Sequence, residues 1–299
     1  MQSARRWASR FAGDGRNAAV GVVAVCWAQA MQSQLHLQSP QLWRAFPGEL
    51  RDARALAECC ALLSAEEQER AQRFHFERDR RAFVAGRWLA RTALSHAHPL
   101  APNEWRFRNN DHGKPATERA CELRFNIANC QDLVVCLLAR GVEVGVDAEP
   151  FARAASIMEL APRVFSKPER AQMAALDEAQ QAHRALSLWV LKEAYVKARG
   201  LGLALPLRKF SFLFERGGAI RLSMDADVGD RPERWRFCLL DCADHRVASF
   251  VENRTREAER PERLNAEADG LEMWEARPPH GSGTRLEHFS APRWNSGGD

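Results

Sequence analysis

The chain has 299 residues, 45% of them hydrophobic and 27% charged, with a formal net charge of +4. That is long enough for one large or two modest cores and describes an ordinary globular protein. The basic excess is too mild to imply nucleic acid, and it is uneven: residues 254–299 carry seven Arg against nine acidic side chains, net −2, which leaves the body at +6 and suited to an acidic protein partner or a polyphosphate.

At the N-terminus Arg5, Arg6 and Arg10 precede an apolar run over residues 18–27, followed by Ala28-Gln29-Ala30. This is the anatomy of a secretory signal, and the run is too short to span a bilayer as a helix. Residues 1–40 are therefore expected to be a poorly ordered or signal-like extension, with Met31 an alternative start.

The body begins near Leu42 and Trp43. Ser64 and Glu67 form a capping-box pair that starts a helix, and helical patterning runs to about residue 96 with a break near Phe76. Between Arg70 and Arg91 lie seven Arg and two acids. Mixed charge of this kind is usually a solvated face. Here Phe74, Phe76, Phe83, Trp88 and Leu89 supply the buried side, so the arginines converge on something anionic. A short strand over 104–108, turn chemistry over 109–115 and a strand over 123–127 follow.

Next, an apolar run at 133–139, Arg140-Gly141 and a second run at 142–146 read as strand, tight turn, strand. Asp147 and Glu149 close the second run two residues apart, so both carboxylates face one side. Two like charges that close repel unless a cation or a proton lies between them. Ligands that are all oxygen suit Mg²⁺.

A helix over 155–164 opens the second half. Ser166, Pro168 and Glu169 start another that runs through Leu176. A long helix spans about 179–199, with Gly200 placed for a left-handed cap. On it Trp189, Glu193 and Lys197 recur at i, i+4, i+8 and share a face. The plain alternative for that spacing is an exposed Glu–Lys pair above a core Trp. If this helix crosses the end of the 142–149 strand, Glu193 becomes a third carboxylate beside Asp147 and Glu149. Strands at 209–214, 219–224, 235–241 and 245–251 complete an α+β pattern of two halves, each a small antiparallel sheet with helices. Beyond Arg254 the polar, proline-bearing composition predicts a disordered tail, with residues 271–274 as the one cluster able to dock. The expected divisions are 1–40, 41–149, 150–253 and 254–299.

The eight cysteines include no Cys-x-x-Cys pair and the nine histidines are scattered, so neither a zinc site nor a disulfide framework is spaced correctly. That cysteine usage suits a reducing compartment. Arg outnumbers Lys 38 to 5. Four of the five lysines (Lys114, Lys167, Lys192, Lys197) sit in the 109–115 turn, at the 166–169 helix start and on the long helix, and a lysine kept where Arg is the default points to a site that wants a compact charge over a planar fork.

Gly145-x-Asp147-x-Glu149 and, some forty residues on, Trp189-x-x-Lys192-Glu193-Ala194-x-x-Lys197 together resemble the 4′-phosphopantetheinyl transferases of the large, monomeric, surfactin-synthetase-activating type. Gly113-Lys114-Pro115, Phe125-Asn126-Ile127 and Phe165-Ser166-Lys167-Pro168-Glu169 extend the likeness over roughly residues 40 to 250. The resemblance implies a pseudo-twofold fold and a cytoplasmic enzyme. The expected reaction is Mg²⁺-dependent transfer of phosphopantetheine from coenzyme A to a serine of an acyl- or peptidyl-carrier protein. It puts Mg²⁺ on Asp147, Glu149 and Glu193, with Glu193 as base, Asp147 in the catalytic set and Lys197 at the leaving phosphate. Lys192 either serves that phosphate or braces the site. Arg70, Arg73, Arg80 and Arg81 become candidates for the coenzyme 3′-phosphate, and Gly113, Lys114 and Pro115 for its adenine and phosphates. One departure stands out: the family's Ser-His-Ser is Ala128-Asn129-Cys130 here. Asn129 donates a hydrogen bond to the coenzyme diphosphate but never a charge, which predicts weaker coenzyme binding with less pH dependence. A non-catalytic relative that binds coenzyme A or a carrier protein is the alternative reading.

Overall fold

The protein is described by a computed structural model covering residues 39–130, 132–253, 271–279, 284–289 and 295–296. Most of the N-terminal extension, residues 1–38, lies outside the described residues, as does 254–270. The body opens with strand β1 (Gln41–Ala45) and helices α1 (Ala53–Cys60), α2 (Ala65–Gln72) and α3 (Glu77–Ala97). The Ser64–Glu67 capping box is present in full, and the predicted break falls at Phe76, which serves as N-cap of α3.

Strands β2 (Phe107–Asn109) and β3 (Pro115–Thr117) form a small hairpin, followed by β4 (Leu123–Cys130), β5 (Leu133–Arg140) and β6 (Val144–Pro150). Short helices α4 (Ala154–Met158) and α5 (Ala161–Val164) lead to α6 (Lys167–Ala174) and the long α7 (Glu178–Arg199). Both later caps hold as read: Ser166 and Glu169 cap α6 reciprocally, and Gly200 ends α7 at φ 66°. Strands β7 (Phe210–Phe214), β8 (Ile220–Met224), β9 (Trp235–Cys242) and β10 (His245–Glu252) follow. The result is a mixed α+β protein built on small, mainly antiparallel sheets.

Two larger sheets face each other. One has the order β12-β11-β1-β5-β4, the other β13-β9-β10-β6, where β11 (Glu272–Arg277), β12 (Arg285–Phe289) and β13 (Asn295–Ser296) come from the C-terminal stretch. Leu42, Val135, Leu137, Val144, Val146, Leu240 and Val247 fill the layer between the sheets. Trp43, Trp88, Phe125 and Leu138 pack α3 on the outer face of the first sheet. Leu188, Leu191, Tyr195, Phe237 and Phe250 pack α7 on the outer face of the second.

The single helix expected over 155–164 is the two short helices α4 and α5, and the structure revises three further expectations. Around Gly141 the chain does not form a hairpin: β5 is hydrogen-bonded to β1 and β4, so both its edges are taken, and β6 pairs with β10 of the other sheet. Residues 104–108 are not one strand, because Pro102 opens a 3-10 turn through Glu104 and β2 starts only at Phe107. The C-terminal stretch is ordered over 271–279 and 284–289, where a disordered tail was expected. Leu271, Met273 and Ala276 are buried there, Trp274 stacks on Trp43 at 5.4 Å, and β11 adds in parallel to β1, which would otherwise be a bare edge. Ion pairs from Arg44 and Arg277 hold the buried Glu275. Among the described residues no helix is long and apolar enough to cross a membrane.

Candidate active site

Helix α7 lies directly on β6, and Gly145 is the reason it can. A Cβ at that position would stand 2.2 Å from both the Ala194 carbonyl oxygen and the Ala198 amide nitrogen. Both neighbours are helix backbone and cannot swing aside. Gly145→Ala is therefore expected to cost about 1–3 kcal/mol or more through overpacking, read as a lower urea midpoint, and to move β6 away from α7. A variant with wild-type stability and activity would show that the contact is looser than this geometry.

Because side chains alternate along a strand, Gly145, Asp147 and Glu149 all point at α7. Asp147 accepts from the Lys197 ammonium at 2.7 Å. Glu149 accepts from the Trp189 indole at 3.3 Å and from Arg153 at 2.6 Å, both through Oε1. The shared face of Trp189, Glu193 and Lys197 is thus the face that meets the strand end. Trp189 does more than pack, since it holds a carboxylate.

The electrostatics bear the mark of crowded acids. Burial pushes the Asp147 carboxyl up from its ordinary value, Lys197 opposes this, and Glu149 adds to it. Glu193 is also pushed up, by burial first and then by the charge of Asp147, with Lys197 pulling the other way and Glu149 adding. Asp147 Oδ2 is buried without a hydrogen-bond partner. Among the described residues no three His, Cys, Asp or Glu side chains are gathered as tightly as the ligands of one metal ion, so the three carboxylates meet through their charge and not at ligating distances. The donor set still fits a divalent cation in its chemistry: all oxygen, mutually repelling, with one orphaned buried oxygen. Cys130 borders the same acids, and burial first, then Glu149 and Asp147, lifts its thiol to about 12.

Glu193 also lines a cavity of about 310 Å³ with Val196, Gly202, Leu205 and Leu207, and with Arg163 and Arg208. Both arginines are exposed. Neither was singled out from the sequence, where each is one Arg among 38.

Lys192 requires a correction. To serve the coenzyme's leaving phosphate it would have to face the site, yet its side chain is fully buried and forms an ion pair with the equally buried Glu169 at 3.0 Å. It also donates to the carbonyls of Leu207 and Phe210 at 2.8 and 2.6 Å. Burial brings its pKa down to about 8 against the pull of Glu169. A lysine one residue from Glu193 points about a hundred degrees away around the helix, here straight into the core. Of the two roles left open, bracing is the one its position supports.

Lys114 is likewise committed within the protein. Its ammonium donates to Glu143 at 2.8 Å and to the Ala198 carbonyl at 2.9 Å, satisfying an open carbonyl at the end of α7. Gly113 takes φ 83° in the turn beside it, and Pro115 begins β3. In the Arg-rich segment Arg70 lies over the Phe83 ring, Arg73 pairs with Glu69 and Arg80 with Glu77, while Arg81 is half-buried. Arg91, by contrast, is buried against Glu67 and the Trp105 carbonyl and is structural. Asn129 is exposed on β4 with its amide against Gly86 of α3, where a glycine Cβ would stand 2.8 Å from Oδ1.

Comparison with known proteins adds the family context. Residues 143–251 match the family described as 4′-phosphopantetheinyl transferase superfamily, and residues 51–140 match 4′-phosphopantetheinyl transferase, N-terminal. A phosphopantetheinyl transferase of Thraustochytrium sp. (strain ATCC 26185 / S-3) is 31% identical over 217 residues, covering 68% of this chain and 74% of that one. The 4′-phosphopantetheinyl transferase Sfp of Bacillus subtilis (strain 168) is 29% identical over 164 residues, 55% of this chain and 72% of that one. Among solved structures, the holo-[acyl-carrier-protein] synthase of Thermotoga maritima aligns with a TM-score of 0.34 at 22% identity, covering 50% of this chain and 84% of that one.

Proposed function

The chain belongs to the 4′-phosphopantetheinyl transferase superfamily, and from that membership we propose that it transfers the phosphopantetheine arm of coenzyme A to a serine of an acyl- or peptidyl-carrier protein. The observation that carries this reading is the meeting of Asp147 and Glu149 on β6 with Glu193 and Lys197 on α7.

In the proposed reaction the serine oxygen attacks the phosphorus that bears the pantetheine arm. Its proton passes to Glu193, directly or through a water, because a neutral hydroxyl is a poor nucleophile. The bond from that phosphorus to the bridging oxygen breaks, and adenosine 3′,5′-bisphosphate leaves. Lys197, one turn beyond Glu193, stabilises the charge that develops on the departing phosphate. Asp147, Glu149 and Glu193 would hold Mg²⁺, which when bound offsets the charge of the diphosphate. Arg70, Arg73, Arg80 and Arg81 serve the coenzyme 3′-phosphate, and Gly113, Pro115 and Asn129 border the nucleotide and diphosphate. The enzyme acts as a cytoplasmic monomer.

The decisive test mixes the protein with coenzyme A, Mg²⁺ and an apo carrier protein and weighs the carrier by mass spectrometry. A gain of one phosphopantetheine is expected; an unmodified carrier overturns the reading.

The carrier's serine is proposed to reach Glu193 through the cavity whose rim carries Arg163 and Arg208. Reversing both rim charges is expected to raise the KM for an acidic carrier about tenfold, with much less change in kcat, because rim charges act mainly on encounter. An unchanged KM would place carrier docking elsewhere.

A further inference from the structure

Of the three acids proposed to hold the metal, Glu149 alone is paired with a cation that the proposed reaction does not use. Arg153 follows β6 by three residues, in the short 3-10 turn Phe151–Arg153, and its guanidinium donates to Glu149 Oε1 at 2.6 Å. The turn is well anchored. The Phe151 amide donates to the Asp244 carbonyl, the Phe151 ring lies under the Arg246 guanidinium, and Ser156 Oγ donates back to the Arg153 carbonyl. Trp189 donates to the same Oε1 from α7. The partners differ in kind: the indole orients the carboxylate without charge, whereas Arg153 cancels charge on it. The Arg153 side chain is 47% exposed, against 13% for Glu149.

We propose that Arg153 sets the divalent-cation affinity of the carboxylate cluster, by drawing on the same Glu149 charge that the cation needs. A guanidinium and a divalent ion on one carboxylate repel each other, and the cation binds against that repulsion. Arg153 thereby keeps the site from holding its metal too tightly, and it belongs to neither the base nor the leaving-group machinery. This inference rests on the proposed metal site, and the experiment separates the two.

The measurement is binding of Mn²⁺ alone to the full chain without coenzyme, followed by loss of the free-ion EPR signal. Arg153→Gln is expected to tighten Mn²⁺ binding about three- to tenfold at low salt, an effect that shrinks as ionic strength rises because the guanidinium is half-exposed. Arg153→Lys keeps the charge and should bind like the wild type, which distinguishes charge from a merely structural role. Glu149→Gln should weaken binding. Wild-type affinity in Arg153→Gln together with weakened binding in Glu149→Gln would overturn this proposal and leave the metal site standing. No Mn²⁺ uptake by the wild type would overturn both.

Discussion

Glu193→Gln is expected to lower the rate of carrier-protein modification about a hundredfold or more while making the fold more stable. The first effect follows from removing the group proposed to accept the serine proton. The second follows from electrostatics: burial and the charge of Asp147 hold the Glu193 carboxyl above its ordinary value, so its charged form is disfavoured in the folded protein. Asp147 is raised for the same leading reason. A carboxyl raised on folding contributes stability that is fully present below its unfolded pKa and is lost as pH rises through its folded value. In a chelating buffer the wild-type melting temperature should therefore fall across this window, which starts near the ordinary carboxylate range of about 4, and Glu193→Gln should fall less. Near-wild-type turnover would refute the base assignment. A variant that is both inactive and destabilised would mean that Glu193 serves the fold and not the chemistry.

Lys192→Met is expected to cost about 3–5 kcal/mol, because it leaves a buried carboxylate without its charge partner. Glu169 is fully buried. It also accepts from the Ser166 and Phe212 amides, so it cannot turn to water without undoing the α6 cap and the start of β7. Urea denaturation measures the loss. Glu169→Gln on the Lys192→Met background should recover part of it, since the amide carries no charge and its carbonyl oxygen still accepts from one of those two N–H groups. If Lys192→Met kept its unfolding midpoint yet lost affinity for coenzyme A, the lysine would belong with the coenzyme contacts after all.

Most of the helical framework could be read from the chain because its signals are local. Ser64 with Glu67, Ser166 with Glu169, and Gly200 each act within a few residues, and all three caps are where the sequence puts them. The parity of Asp147 and Glu149 was equally plain, as strand alternation needs no tertiary information. Less was legible at 271–277. Polar composition argues for disorder there, but Leu271 and Met273 on one face of the strand and Ala276 on the other are buried once β1 offers an open edge.

By itself the sequence determined which residues stand as candidates for the proposed chemistry: three acids, a lysine on the helix that bears one of them, and a glycine ahead of the first. The tertiary structure decided what each neighbour is for. Helical spacing says that Lys192 and Glu193 diverge, but only the packing of α6 and β7 against α7 buries one with Glu169 and leaves the other on a cavity. Likewise, Gly145 is one of 18 glycines until a helix backbone is found 2.2 Å from its missing Cβ. The physical reason is common to both: local patterns set direction, whereas burial and charge pairing depend on segments far apart in the chain that meet only when it folds.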